Sequence, residues 1–252
     1  MQDHEYFSVE GPVVLAHRGG SAKTENTIET FIDAVGVGVF SIETDVRTTK
    51  DNVALLFHDA DLNRVANMDR QISETNFEEI EKIQLIGGGK ILTLVQALTT
   101  LPHTRFNLDI KDAASVASAA AAIELTQSHN RVLVSSFSEK RRSQTLKLLS
   151  KPVATSASAQ IVITVWLFHI LRLPQVFFTQ RLKGIGALQI PRSMLGITLD
   201  SATFIRKIRS SGTSVHFWTI NEPEQMLELI ARGANGIVTD VPELAVQTLR
   251  KA

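Results

Sequence analysis

Cysteine is absent from this chain of 252 residues, which excludes a disulfide framework and any thiolate metal site. Net charge is absent too. Lys and Arg number 26, and so do Asp and Glu, so nothing global draws the chain to nucleic acid or to an anionic membrane. The charged run at 139–147 (EKRRSQTLK) is then a solvated helix face, and no nucleic-acid role is expected. The opening MQDHEYFSVEG lacks the basic start and apolar stretch of a signal peptide, so a cytoplasmic location is expected. No Gly/Ser/Pro-rich linker divides the chain, and a single domain over 1–252 is expected. Long hydrophobic runs are missing as well. The nearest approach, residues 161–178 (IVITVWLFHILRLPQVFF), stays apolar for only about 13 residues before Arg172 and Pro174, against the roughly 20 that a spanning helix needs. No transmembrane helix is expected.

What the chain does have is periodicity. Hydrophobic residues make up 44%, enough to bury a sizeable core. Short apolar runs recur at 13–17, 40–45, 105–110, 131–136, 152–156, 187–190, 214–219 and 236–239. Helical patterns lie between them, for example at 25–35, 139–149, 201–211 and 223–232. Strands alternating with helices predict a parallel sheet, and eight of them at this length predict a closed (β/α)8 TIM barrel. Asn221 is the expected N-cap of one helix and Gly233 the expected end of the same one. A ninth run, 53–57, follows Asp45 too closely for a helical crossover, so it is expected to pair antiparallel with the strand before it. A two-residue turn at Asp51-Asn52 would set Lys50 opposite Val53 and Asp45 opposite His58. The polar stretch 59–90 is expected to form a small insertion over the barrel mouth.

In such barrels the site lies where the strands end. Here those ends carry His17-Arg18, Glu43 and Asp45, Asp109 and Lys111, and Trp218. Strand alternation puts Glu43 with Asp45 on one face and Asp109 with Lys111 on one face, and the hairpin adds His58. Three carboxylates at one mouth repel one another unless compensated, and a hard divalent cation, Mg²⁺ or Ca²⁺, prefers carboxylate oxygen. Arg18 and Lys111 are left for an anion, most simply a phosphate. Two histidines beside them suggest a general base and a general acid. Gly19 and Gly20 would let the backbone approach the phosphate. Glu25 either steadies Arg18 or is simply an acidic residue in a helix's first turn. His216 reads as a hydrogen-bonded core histidine.

The motifs AHRGGSAKTENT, IETDVRTTKDNVALLFHDADLNR, NLDIK, VHFWTIN and GANGIVTDVPE, in this order, resemble the glycerophosphodiester phosphodiesterase family over nearly the whole chain. The resemblance implies a barrel with a small insertion, a divalent metal, and hydrolysis of a glycerophosphodiester to glycerol phosphate and an alcohol. It implies His17 and His58 as the acid–base pair, Glu43, Asp45 and Asp109 as metal ligands, Arg18 and Lys111 as phosphate ligands, and Trp218 in the substrate pocket. Asp109 departs from the family's usual glutamate. GKILTLVQAL lacks the usual proline and glutamate, Arg209 stands where a histidine is common, and Asp51-Asn52 replaces Asp-Gly.

Two other functions share this equipment: a lysophospholipase D-like or phosphatidylinositol phospholipase C-like lyase that forms a cyclic phosphate, and a non-catalytic barrel that only binds. The apolar segment 161–178 is wider in its apolar face than an outer barrel helix needs. Part of it is expected to be exposed near the mouth, contacting an acyl chain, a membrane surface or a second subunit of a homo-oligomer. The expected small-molecule partner is a glycerophosphodiester or lysophospholipid.

Overall fold

The computed structural model describes residues 4–21, 23–194 and 196–250; positions 1–3, 22, 195, 251 and 252 of the expected single domain lie outside them. The chain opens with β1 (Val13–His17), α1 (Ile28–Gly36), β2 (Ser41–Thr48) and β3 (Ala54–Leu56). Residues 59–90 hold two one-turn helices, α2 (Asn63–Ala66) and α3 (Phe77–Ile80). Then follow α4 (Leu94–Thr100), β4 (Arg105–Ile110), α5 (Ser115–Leu125), β5 (Val132–Ser135), α6 (Glu139–Leu148) and β6 (Ala154–Thr155). The segment 161–178 falls on α7 (Ala159–Ile170) and α8 (Gln175–Arg181), which precede β7 (Ala187–Ile190). A two-stranded hairpin, β8 (Ser193–Met194) with β9 (Ile197–Thr198), comes next. The chain closes with α9 (Ala202–Arg209), β10 (Ser214–Phe217), α10 (Pro223–Ala231), β11 (Gly236–Thr239) and α11 (Pro242–Leu249).

Eight strands run parallel in the order β6-β5-β4-β2-β1-β11-β10-β7. The two ends of that row meet. Ser156 bridges to Ala187 in parallel, and the Ala157 N–H donates to the Ala187 carbonyl at 2.8 Å. The result is a closed (β/α)8 barrel, with helices making the crossovers that parallel neighbours require. Side-chain caps start several helices: Thr27 accepts from the Thr30 N–H, Ser138 from Arg141 and Ser201 from Phe204. Thr93 and Gln96 form a full capping box on α4, so glutamine does there what a glutamate would. At the barrel's lower end Tyr6 is fully buried with Leu133, Ala154 and Ala187 and donates to Ser41 Oγ at 2.9 Å. Aromatic side chains thus plug the end from which the strands start, and a cavity can open only at the other.

The hairpin register is one residue away from the expected one. Thr48 pairs with Ala54 and Val46 with Leu56, and the Phe57 N–H donates to the Asp45 carbonyl at 2.9 Å. Lys50 does not face Val53, and Asp45 faces Phe57 rather than His58. The turn uses three residues, with Asn52 in the left-handed region at φ 66°, a turn of the bulged three-residue kind. A one-residue slip exchanges the faces of a strand, which sends Phe57 into a cluster with Leu55, Leu62, Ile72 and Ile80. That cluster is the insertion's own small core.

Residues 161–178 contribute Ile161, Val162, Val165 and Phe178 to the main core, with Trp166 and Phe168 partly buried against it. Ile163, Leu167, Ile170, Leu171, Val176 and Phe177 remain exposed. No described helix is long and apolar enough to cross a membrane.

His216, on β10, is buried, and among the described residues its hydrogen-bond contact is Gln189 Nε2, at 3.5 Å from its Nδ1. Burial pushes its pKa down to about 4. The folded chain therefore holds this ring neutral while the unfolded chain protonates it near pH 6.5, so stability is full above about pH 6.5 and falls as pH drops toward 4. The loss amounts to about 3 kcal/mol. The melting temperature of the protein should fall more steeply over this window than that of His216→Gln; parallel curves would contradict the assignment.

Candidate active site

The eight residues singled out from the sequence all line one cavity of about 320 Å³ at the strand ends: His17, Arg18, Glu43, Asp45, His58, Asp109, Lys111 and Trp218. The β2–β4 register accounts for three of them, Glu43, Asp45 and Asp109. Glu43 lies beside Asn107 and Asp45 beside Asp109, and two-residue alternation turns all four the same way. β1 brings His17 level with Glu43. Arg18 follows in the left-handed region at φ 53°, and its N–H donates to the Glu43 carbonyl at 2.7 Å. The glycines after it have a packing reason. A Cβ on Gly19 would meet Thr30 Cγ2 at 2.7 Å, and one on Gly20 would meet Pro242 Cδ at 2.8 Å, both at positive φ.

Charge in the cavity is tightly arranged. Lys111 Nζ sits between two carboxylates, 2.7 Å from Asp45 Oδ1 and 2.6 Å from Asp109 Oδ2. Arg18 Nε is 3.3 Å from Asp45 Oδ2. The guanidinium of Arg18 also reaches Glu25 at 3.3 Å, and Arg64 grips the same carboxylate. Glu25 therefore steadies Arg18 and lies before α1. Glu43 has no cation on it. Burial, reinforced by Asp45, pushes its carboxyl up to about 8. Burial also raises Asp109, against the pull of Lys111.

Among the described residues no three His, Asp or Glu side chains are gathered closely enough to enclose a cation as they stand. The donor chemistry nonetheless fits one. Glu43 Oε2, Asp45 Oδ2 and Asn107 Oδ1 are buried without a hydrogen-bond partner, and these are the hard oxygens that Mg²⁺ and Ca²⁺ take. Asp109 is engaged by Lys111 instead. Lys111 and Arg18 thus both lie on carboxylates.

Each histidine is held by its own carboxylate. His17 Nδ1 is 2.6 Å from Asp240 Oδ1, and His58 Nδ1 is 2.7 Å from Asp59 Oδ1. A carboxylate on Nδ1 fixes the proton there and leaves Nε2 as the working nitrogen. For His17 that nitrogen faces Glu43, 3.9 Å from Oε2. Burial alone would lower the His17 pKa, but the Asp240 bond and the Glu43 charge outweigh it and raise it. Asp240 is oriented in turn by Asn221, whose Nδ2 donates to Asp240 Oδ2 at 3.0 Å and whose Oδ1 accepts from the Asp240 N–H at 2.9 Å. That duty replaces the expected one, since the N-cap of α10 is Glu222. Asp59 is anchored by Arg64 Nε at 2.6 Å. Asp240 stands just past the end of β11, so the strand-end rule that found Glu43 and Asp45 would have found it too.

The walls differ. On one side Trp218 meets Phe137 edge to face, ring centroids 6.1 Å apart, and Ala157, Val162, Ile190 and Leu199 continue an apolar surface. On the other, Arg47, Asp59, Asp61 and Arg64 line a polar groove that shares His58 and Lys111 with the cavity. Arg209 lies elsewhere, donating to the Gly233 carbonyl at 3.1 Å, where α10 ends.

Residues 17–244 match the family model described as the glycerophosphoryl diester phosphodiesterase family. A relative from Mycobacterium tuberculosis, a probable glycerophosphodiester phosphodiesterase, is 34% identical over 95% of this chain and 91% of its own. A human lysophospholipase D is 26% identical over 90% of this chain and 83% of its own. The crystal structure of a phosphodiesterase from Oleispira antarctica in complex with the product sn-glycerol-3-phosphate superposes with a TM-score of 0.76 at 23% identity, covering 96% of this chain and 98% of that one. The chain belongs to the glycerophosphoryl diester phosphodiesterase family of enzymes.

Proposed function

We propose that this barrel mouth hydrolyses glycerophosphodiesters to glycerol phosphate and an alcohol by metal-assisted acid–base catalysis. The observation that carries the reading is the pair of imidazoles on one cavity, each with Nδ1 held by a carboxylate, around buried carboxylate oxygens that have no hydrogen-bond partner among the described residues. Glu43 and Asp45 would hold a divalent cation, with Asp109 joining them once Lys111 turns to the substrate. When bound, the cation supplies positive charge to the phosphoryl oxygens and to the attacking oxygen. Arg18 and Lys111 leave their carboxylates for the phosphate and stabilise the charge that develops on it. One histidine Nε2 takes the proton from the attacking hydroxyl, of water or of the glycerol itself, and the other Nε2 protonates the departing alkoxide. If the glycerol hydroxyl attacks, the cyclic phosphate is opened by water with the two histidines exchanging roles. Trp218 and Phe137 wall the glycerol end. The insertion 59–90 serves as a cover at the mouth, since it brings Asp59 and Arg64 to His58. Release of alcohol from a panel of glycerophosphodiesters tests this, with glycerophosphocholine first; no turnover of any of them, with or without added Mg²⁺ or Ca²⁺, would refute it.

A second reading, lysophospholipase D-like activity, is favoured by the apolar wall at Phe137, Ala157, Val162 and Leu199, which suits an acyl chain. Faster choline release from lysophosphatidylcholine than from glycerophosphocholine would select it.

Asp240 is a positioning residue. Asp240→Asn keeps the shape but removes the charge behind His17, so kcat should fall about 10–100-fold with KM little changed. The His17 pKa should also drop, moving the inflection it sets in the pH–rate profile to lower pH. An unchanged rate and profile would show that Asp240 serves structure alone.

A further inference from the structure

We infer that the outer wall formed by α7, α8 and α9 is a docking surface for an anionic lipid membrane. Ile163, Leu167 and Ile170 form one stripe of α7, at helical spacing, and Leu171 follows at its end; they are 47%, 45%, 56% and 66% exposed. The outward face of this helix is therefore apolar, opposite to the pattern of an ordinary barrel helix. Val176 and Phe177 of α8 extend the patch, 53% and 43% exposed. Isolated exposed apolar side chains need no explanation, but six gathered on adjoining helices do.

Charge chooses the occupant. The chain as a whole is neutral, yet residues 139–209 carry twelve Lys and Arg against two carboxylates, Glu139 and Asp200. Both carboxylates are already paired, Glu139 with Arg142 and Asp200 with Arg192 and Arg232. Arg172, Lys183, Arg206 and Arg209 are exposed around the patch, and Lys207 Nζ lies 5.5 Å from the Phe178 ring centroid. The three helices adjoin one another: His169 of α7 stacks at 5.2 Å on Phe204 of α9, and Gln175 of α8 donates to the Lys207 carbonyl. A second copy of this chain would bring the same positive field to the contact and repel it. An anionic bilayer answers both features, since it takes apolar side chains below its headgroups and attracts Lys and Arg above them.

The helix that carries the stripe also has its inner face on the cavity. Val162, which lines the cavity, immediately precedes Ile163 on α7. A membrane seated along this wall would lie beside the cavity's apolar side. The inference does not require the catalytic reading, because binding is measured without turnover.

The test is co-sedimentation of the full chain with vesicles of phosphatidylglycerol and phosphatidylcholine in equal parts, and with vesicles of phosphatidylcholine alone. The protein should bind the first and not the second, and salt should release it. Leu167→Glu with Ile170→Glu should weaken binding about tenfold or more, while the circular dichroism spectrum and melting temperature stay unchanged and show that the fold is intact. Arg206→Gln with Lys183→Gln, which leaves the stripe alone, should weaken binding too. Absence of binding, equal binding to both vesicles, or binding untouched by either double variant would overturn the inference. So would a dimer in solution that Leu167→Glu with Ile170→Glu dissociates, since the stripe would then be a subunit contact.

Discussion

Replacing His17 or His58 by alanine is expected to cut turnover of glycerophosphocholine by about 10²–10⁴-fold, the usual contribution of a positioned proton-transfer group. The two variants should differ in how they lose it. His17 sits partly buried between Asp240 and Glu43, so His17→Ala also removes the hydrogen bond that holds the Asp240 carboxyl below the usual range. His58 is more exposed, and its partner Asp59 keeps Arg64 when the ring is gone. His58→Ala should therefore keep the fold's stability nearly intact. Exogenous imidazole is the informative addition. Partial recovery with His58→Ala would locate the missing function in proton transfer, because the ring reaches solvent there. If both variants fold and turn over at near-normal rates, the acid–base assignment fails.

Glu43 gives the second large effect, and it runs in opposite directions for activity and stability. Glu43→Gln removes one of the buried oxygen donors, and turnover should fall roughly 10²–10³-fold, matching several kcal/mol of lost charge stabilisation. An excess of chelator should stop the unmodified enzyme, and Mg²⁺ or Ca²⁺ should restore it. Stability should behave otherwise. The folded Glu43 carboxyl titrates near 8, above its unfolded value, through burial and Asp45. A raised carboxyl favours the fold at low pH, and that contribution is lost as pH rises through about 8. In chelator, Glu43→Gln should thus melt higher than the unmodified protein at pH 8, and the gap should narrow toward pH 5. Added metal should reverse the order, since only the unmodified site binds it tightly. Full activity in chelator, or no metal-dependent shift in melting, would contradict a metal role for Glu43.

Most of the barrel was legible in the sequence because the physics that makes it is local. VVLAH ends on His17 where its strand reaches the cavity, and RFNLDI turns Asn107 and Asp109 to the cavity at alternate positions, so strand and site come from one pattern. What failed was geometry set by a single residue. The hairpin needed one more residue in its turn because Asn52 adopts a left-handed conformation, and periodicity cannot count turn residues. His58 reaches the cavity all the same, one position beyond the residue that faces Asp45. The strand-end rule places Asp240 at the mouth, but its pairing with His17 across 223 positions leaves no trace in spacing. Asn221 was read as a helix cap for the same reason, since its amide serves Asp240 instead. In segment 161–178 the composition announced excess apolar surface but not which side would face out. Core contacts of Val162, Val165 and Phe178 decide that, and they leave Ile163 and Leu167 to the solvent.

Phosphorus NMR of the protein acting on glycerophosphocholine with Mg²⁺ or Ca²⁺ tests the central claim most directly. Two histidines that exchange roles on one phosphodiester should yield glycerol phosphate as the end product, with choline released in equal amount. A cyclic glycerol phosphate that accumulates and persists, or an unchanged substrate signal, would contradict the account.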